Sequence, residues 1–252
     1  MKTRLTFLML AGMLPGLAGA DGLGLWVGAG QWDREVAGFV RDTDDPADNF
    51  NLDNAAQGVA MADEREGYLY AVIEHPVPLL PNVKVLSTSQ SHSGSGTYNR
   101  TFGGIAFSED VEATLTLDHT DITIYWQVLE NVVELDLGLT ARKYDGRARV
   151  VGKTSGNVGE EAISETLPLG YARVGVDLPW TGLSLAVEGN LISAGDSSAS
   201  DIIAKVMYET SFGLGVEGGV RKQTIELDRV DTGTVAADIE FNGLFAGVFF
   251  HF

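Results

Sequence analysis

Residues 133–142 read VELDLGLTAR, in which apolar and polar side chains alternate one by one. Successive side chains of a strand point to opposite faces, so this period of two predicts a β-strand with one apolar face. The other face carries Glu134, Asp136 and Arg142. The same alternation recurs at 113–118, 183–188 and 244–252. The sequence therefore predicts an all-β fold.

The spacing of these segments predicts about ten strands. They cover residues 23–32, 64–75, 83–94, 110–128, 133–150, 164–178, 182–194, 200–210, 213–228 and 238–252. The connections 76–82, 129–132, 179–181 and 211–212 are short, whereas those at 33–63, 95–109, 151–163 and 229–237 are longer and polar; only 195–199 breaks the rule. Short turns at one end and long loops at the other are typical of bacterial membrane barrels. We therefore predict a closed antiparallel up-and-down transmembrane β-barrel of about ten strands.

The first twenty residues have the pattern of a secretory signal peptide. Lys2 and Arg4 give a positive start, an apolar stretch begins at Leu5, and residues 18–20 are the small residues Ala-Gly-Ala. This order of charged, apolar and small residues is the export signature. We expect residues 1–20 to be removed after export.

The remaining domain, residues 21–252, is expected in the outer membrane. It contains no Cys, so disulfides cannot close the structure. In a bilayer an open sheet edge leaves unpaired backbone groups, which only a closed sheet avoids, and closure would place the apolar face outward against lipid. We predict contacts with outer-membrane lipids and lipopolysaccharide.

The C-terminus ends in GLFAGVFFHF at residues 243–252. Its apolar positions Leu244, Val248, Phe250 and Phe252 fall on one face of a strand. This ending resembles the C-terminal signal that outer-membrane barrels present to the barrel assembly machinery, which we therefore expect as a partner.

Three further segments carry a resemblance to a family. They are residues 69–83 (LYAVIEHPVPLLPNV), 118–126 (DHTDITIYW) and 135–142 (LDLGLTAR), which join the ending at 243–252. Together they resemble a poorly characterised family of Gram-negative outer-membrane β-barrel proteins of proteobacteria. The resemblance covers the chain from Gly22 onward and implies a barrel, but no known activity.

Charged residues recur on the face opposite the apolar one and would be enclosed by a closed barrel. This predicted lumen charge network comprises Glu134, Asp136, Arg142, Arg173, Asp177, Glu188, Lys205, Glu209, Glu217 and Arg221. Enclosed charges of both signs are typical of a plug of ion pairs, and alternatively of a narrow selective conduit. Ten strands lie near the size at which side chains fill a barrel, which favours the plug.

The formal net charge of −18 excludes nucleic acid as a partner, because holding phosphates requires clustered Lys and Arg. Hydrophobic residues make up 44% of the chain, which excludes disorder. The first long loop holds the acids Asp42, Asp44, Asp45 and Asp48, which are weak candidates for a calcium site. They lack the Gly and Glu of an EF-hand, and we expect neither a cofactor nor a resident metal.

Two histidines are candidates for catalytic groups. His119 lies next to Asp118 and near Asp121, where the apolar face of its strand changes from odd to even positions. Such a slip predicts a β-bulge at 118–121. His92 lies among serines, without a carboxylate in its segment. No catalytic residue is predicted.

The first long loop, 33–63, is expected to hold a short helix near 55–62. For the whole chain we predict a structural or interaction role, with acidic surface loops and a largely filled lumen. The alternative is a narrow channel or transporter for ions or small hydrophobic solutes. An outer-membrane lipid-modifying enzyme or protease is the weaker third hypothesis.

Overall fold

The computed structural model describes residues 23–42, 49–55, 58–77, 79–194, 197–227 and 235–252. The predicted signal peptide and the acids Asp44, Asp45 and Asp48 lie outside the described residues. Of Asp42, only its backbone, at the end of the first strand, is described.

Strands account for most of the described chain. They are β1 (Gly24–Asp42), β2 (Asn49–Asn51), β3 (Ala60–Met61), β4 (Glu64–Glu74), β5 (Asn82–Thr88), β6 (Ser91–Tyr98), β7 (Thr101–Phe102), β8 (Ile105–Ala106), β9 (Glu109–Leu129), β10 (Val133–Gly152), β11 (Val158–Ile163), β12 (Thr166–Leu178), β13 (Leu183–Ala194), β14 (Ser197–Glu209), β15 (Leu214–Leu227) and β16 (Val235–His251). Within the described ranges no helix is long and apolar enough to cross a membrane.

The sheet closes on itself. Each long strand pairs antiparallel with its neighbour, and β16 returns to β1 from Trp26↔His251 to Asp42↔Val235. β5 and β6 form one wall strand interrupted at 89–90, because both pair with β9 in the same register. β11 and β12 likewise share the edge of β10. The wall therefore has ten strands, and the predicted closed antiparallel barrel is confirmed.

The two ends of the barrel differ as predicted. At the turn end, β4 joins β5, β9 joins β10, β12 joins β13 and β14 joins β15 through short connections. Both Gly24 and His251 lie at this end, since they flank the β1–β16 pairing there. The opposite, loop end carries β2, β3 and the β7–β8 hairpin.

An apolar belt surrounds the outside of the barrel on its turn-end side. Its exposed members include Val27, Leu69, Ile73, Val85, Ile122, Ile124, Leu137, Leu139, Val174, Leu185, Val187, Ile202, Val206, Val216, Val220, Leu244 and Val248. Exposed apolar surface encircling a closed sheet is the lipid-facing pattern of a transmembrane barrel.

Aromatic side chains border the belt at the turn end. Trp126, Trp180, Tyr208, Phe212 and Phe252 are all exposed there, as amphipathic rings at a membrane interface are. Trp26 lies inside the barrel and stacks on His251 with ring centroids 3.9 Å apart. The even-numbered residues of β1 face inward, and Trp26 is one of them.

The polarity of the wall inverts beyond the belt. In β9 the odd-numbered side chains face inward along the strand from Val111 to Tyr125. They are apolar toward the loop end, as at Leu115 and Leu117, and polar toward the turn end, as at Asp121. Outside, the even positions change from threonines to the belt residues.

The predicted bulge at 118–121 is therefore wrong. The register of β9 with β10 runs unbroken from Asp136↔Gln127 to Gly152↔Val111, and its one irregularity lies between Leu135 and Asp136. The apolar pattern changes sides because the surroundings change from lipid to water. Beyond the belt the outside must be polar, so the apolar side chains turn inward.

A hydrophobic core fills the lumen beyond the belt; we term it the loop-end core. Its buried members are Trp32, Val36, Leu52, Leu115, Leu117, Tyr144, Ile225, Ile239, Phe241 and Phe245, with a second cluster of Val59, Tyr98, Phe107, Val111, Ala113 and Val150 nearer the rim. β1 reaches Asp42, so residues 33–42 of the predicted loop 33–63 belong to a strand. Residues 55 and 58–62, which are the described part of the predicted helix near 55–62, contain no helix, and residues 60–61 instead form β3 on the edge of β6.

Candidate functional site: the lumen

A cavity of about 830 Å³ occupies the turn-end half of the lumen; we term it the vestibule. Turn residues from Leu178 to Ser184 and from Tyr208 to Ser211 line its mouth. The vestibule therefore opens at the turn end. Trp32 and Arg221 line its inner limit, where the loop-end core begins.

Four charged side chains close the lumen above the vestibule; we term them the central plug. Arg142 donates two hydrogen bonds of 2.7 Å to Asp121 and one of 2.6 Å to Asp201. Arg221 donates two more to Asp201, at 2.9 and 2.6 Å. All four side chains are at most 4% exposed. Two aspartates thus balance two arginines, as buried charges require.

Neutral groups complete the plug. Thr88 Oγ1 accepts from Arg221 at 3.1 Å, and His119 Nε2 lies 3.3 Å from Arg221 Nη2. The Trp32 ring lies over the same guanidinium, 4.5 Å from its Cζ. Arg221 is consequently enclosed by an anion, two polar atoms and an aromatic face.

His119, Asp121 and Asp201 offer ligand atoms within 4.8 Å of one another. A cation at that point would compete with two guanidinium groups that already hold both carboxylates. Two fixed positive charges repel a metal ion, so we assign this group to the plug and not to a metal centre.

A second charged layer lies below the plug. Lys84 Nζ donates to both oxygens of Glu188 at 2.8 Å. Lys205 Nζ lies 3.7 Å from Glu188 and 3.8 Å from Glu217. Tyr68 donates a 2.7 Å hydrogen bond to Glu217. This layer lines the inner vestibule and leaves space between its members.

The outer vestibule has an acidic wall. Arg173 Nη1 donates to Glu134 at 2.6 Å and to Asp136 at 3.1 Å. Tyr125 donates to Glu74 at 2.5 Å, and Ser184 donates to Asp177 at 2.6 Å. Arg173 is therefore the one cationic side chain bonded to these carboxylates among the described contacts. Across the mouth, Glu209 lies 3.1 Å from the ring of His251.

The structure places all ten residues of the predicted charge network on the lumen side. Nine line the vestibule, and Arg142 lies in the central plug. Sequence reasoning missed Glu74, Lys84, Asp121 and Asp201. Asp121 lies in the segment for which a bulge was predicted, although its odd position places it on the same face as Thr123. Lys84 lies between Val83 and Val85, which was the available signal, whereas Glu74 and Asp201 each have only one apolar neighbour.

His92 is not arranged for catalysis. β6 lies beyond the belt, since its more exposed positions are Ser93, Ser95 and Thr97. The buried His92 ring contacts the Ala62 carbonyl at 3.1 Å and Arg34 Nε at 3.5 Å. Burial lowers the pKa of His92, with the Arg34 charge acting in the same direction. The described contacts join it to neither a serine hydroxyl nor a carboxylate.

The residues of the predicted assembly signal lie on the outward face of β16. Leu244, Val248 and Phe252 are exposed, and Phe250 packs against Phe252 with ring centroids 4.5 Å apart. The face is accessible from the membrane side of the wall. Its recognition by assembly machinery remains a prediction.

Comparisons with known proteins give only remote likenesses. No protein-family model and no curated protein matches the chain. Two solved structures of the Pseudomonas putida toluene transporter TodX match at 11% identity. The first match covers 93% of this chain and 91% of the transporter chain, with a TM-score of 0.33. The second covers 92% of this chain and 90% of the transporter chain, with a TM-score of 0.32. The CymD monoaromatic hydrocarbon channel matches at 9% identity over 92% of this chain and 89% of that one, with a TM-score of 0.29. These values are too low to support an inference, and the predicted membership of an uncharacterised barrel family stays a prediction. The fold follows from the chain's own strand pairing, which makes it a closed ten-stranded β-barrel. The exposed apolar belt around it is the pattern of a transmembrane barrel.

Proposed function

We propose that this chain is an integral outer-membrane barrel with a structural or interaction role, and that it does not conduct ions at rest. The central plug carries the proposal. Its four charged side chains cross the lumen between the vestibule and the loop-end core, and none is more than 4% exposed.

A conduit at this level would require the plug to separate. Asp201 accepts three hydrogen bonds from Arg142 and Arg221, so no path opens without breaking contacts to a buried charge. Removing one partner of a buried ion pair costs about 3–5 kcal/mol. Above the plug, Trp32 and Phe241 are almost fully buried in the loop-end core, which adds an apolar barrier.

The proposed orientation places the turn end in the periplasm and the loop end outside the cell, because short turns face the periplasm in such barrels. We term the wall beyond the belt the collar; it includes β6 and residues 109–120 of β9. At ~3.3 Å per residue and a tilt of ~40°, that part of β9 rises roughly 30 Å above the belt. Such a rigid projection suits contact with external partners better than solute passage.

Single-channel recording in planar bilayers tests the proposal. The wild-type barrel should give no reproducible conductance steps. The triple variant Arg142→Ser, Arg221→Ser and Phe241→Ala, which removes both cations of the plug and opens the loop-end core above it, should give a leakier barrel and show that the protein is inserted. Glu160→Gln, on the exposed surface of the collar, is the matched control and should stay silent. Reproducible steps in the wild type would overturn the proposal and favour the narrow-channel alternative.

A further inference from the structure

We propose that the vestibule binds an organic amine from the periplasm: an ammonium group carried on an apolar stem. This goes beyond the proposed function and does not depend on a closed lumen. The inference rests on an acidic wall with too few cations, on aromatic faces beside it, and on a cavity that opens to water.

The negative charge of the acidic wall is not balanced by the cationic side chains bonded to it. Glu74, Glu134, Asp136 and Asp177 line one side of the vestibule, and the described ion pairs bring only Arg173 to them. Oδ2 of Asp136 accepts from Arg173, but its Oδ1 is buried and accepts no hydrogen bond from any described residue. A buried carboxylate oxygen without a donor is costly. A ligand ammonium group beside this wall would balance its uncompensated negative charge.

The same imbalance holds for the whole vestibule. Its lining includes seven carboxylate side chains but four from Lys and Arg. Of those four, Arg221 is already held by Asp201 in the central plug. The electrostatic potential in the cavity is therefore negative, and a narrow acidic cavity with low-dielectric walls concentrates cations.

Aromatic rings supply the second half of the site. Tyr125 and Tyr171 lie side by side at the acidic wall, with ring centroids 5.7 Å apart. The Lys84 ammonium already lies 5.8 Å from the Tyr171 ring, and Lys205 lies 6.0 Å from the Tyr70 ring. Ammonium groups are attracted to such faces, so this lining is chemically suited to a further amine. Phe249 and Met207 give the apolar stem a surface.

An organic amine fits better than a metal ion. Among the described residues, the one group of three acidic or His side chains with converging ligand atoms is His119, Asp121 and Asp201, which the plug arginines occupy. The vestibule carboxylates do not converge in this way, as hard cations require. A volume of about 830 Å³ falls in the usual range for small-molecule sites.

Calorimetric titration with spermidine tests the inference. The barrel is folded in an uncharged sugar detergent, because choline-headed detergents would compete, and in moderate salt to suppress weak surface binding. We expect saturable binding with one molecule per barrel. 1,8-Octanediol, which keeps an apolar stem but lacks ammonium groups, should give no binding in the same range.

Variants locate the site. Asp136→Asn and Glu74→Gln should each weaken spermidine binding about tenfold, the expected scale for losing one charge-assisted contact. Tyr171→Leu should weaken it severalfold, while Glu160→Gln on the collar should leave it unchanged. Melting curves establish that each variant is folded, and Glu74→Gln serves if Asp136→Asn does not fold.

Three results would overturn the inference. One is the absence of saturable binding to the wild type. Another is equal affinity in the wild type and both carboxylate variants, which would assign spermidine to the acidic outer surface. The third is equal binding of the diol. None of these outcomes bears on conductance, so this inference and the proposed function fail separately.

Discussion

Replacing Asp201 by Ala should strongly destabilise the barrel. Asp201 accepts three hydrogen bonds from Arg142 and Arg221 at 2.6–2.9 Å and is 2% exposed. Without it, Arg142 keeps both bonds to Asp121, but Arg221 keeps only the neutral Thr88 and His119. A buried guanidinium then lacks its counter-charge, which costs about 3–5 kcal/mol of the free energy of unfolding.

The collar provides a matched control for that variant. Glu160 also lies between two arginines, Arg147 at 3.5 Å and Arg149 at 3.6 Å, but all three side chains are well exposed. Because water screens exposed pairs, Glu160→Ala should cost about 0–1 kcal/mol. The contrast isolates burial as the cause.

Urea unfolding of the protein in phospholipid vesicles, followed by circular dichroism and tryptophan fluorescence, measures both free energies. The double variant Asp201→Asn with Arg221→Met should lose less than the sum of its single variants, because it removes both charges together. If Asp201→Ala fell within about 1 kcal/mol of Glu160→Ala, the plug would contribute little to stability and the argument from buried charge would be wrong.

Two further predictions test the belt and the collar. Leu137→Arg, on the exposed surface of the belt, should cost up to about 2–4 kcal/mol in vesicle-based unfolding, as an arginine against lipid does. Thr116→Arg, outward on β9 beyond the belt, should cost less than about 1 kcal/mol, and equal costs would refute the position assigned to the edge of the membrane. Glu109 holds the turn after β10, because its carboxylate accepts from the amides of Thr154 and Ser155 at 2.6 and 3.0 Å. The Ser155 hydroxyl and these amides lower the pKa of Glu109 below its ordinary value of 4.5, so this support is present above about pH 4.5 and is lost as the pH falls through the lower folded value. In the wild type, hydrogen exchange at the amides of Thr154 and Ser155 should accelerate, relative to the intrinsic rate, as the pH falls through the folded-state pKa of Glu109. The Glu109→Gln variant should show fast exchange at every pH. Protection of these amides that does not change with pH in the wild type would count against this role.

The sequence by itself determined the strands and their faces. Alternation at 133–142 and along the other segments specified the ten wall strands, because a period of two has no other regular backbone solution. It also separated the lumen charges from the belt, since one face of a closed wall must be apolar against lipid. The lengths of the turns and loops then distinguished the turn end of the barrel from the loop end.

The tertiary structure decided where polarity inverts and which charges meet. β9 keeps one register while its apolar residues change sides, so the pattern that suggested a bulge at 118–121 instead marks the edge of the belt. Alternation defines two faces but does not state what surrounds them. Only the closed wall, with its belt and its collar, supplies that information.

The sequence also does not show which charged side chains pair across the lumen. Lys84 meets Glu188 from 104 positions away, and Arg221 meets His119 from 102. Strand order and register set these contacts, and both are fixed only when β16 pairs with β1. The sequence therefore determined which side chains are enclosed, whereas closure of the barrel determined which of them pair. The distance between two side chains across the lumen depends on the stagger of the strands that carry them and not on their separation along the chain.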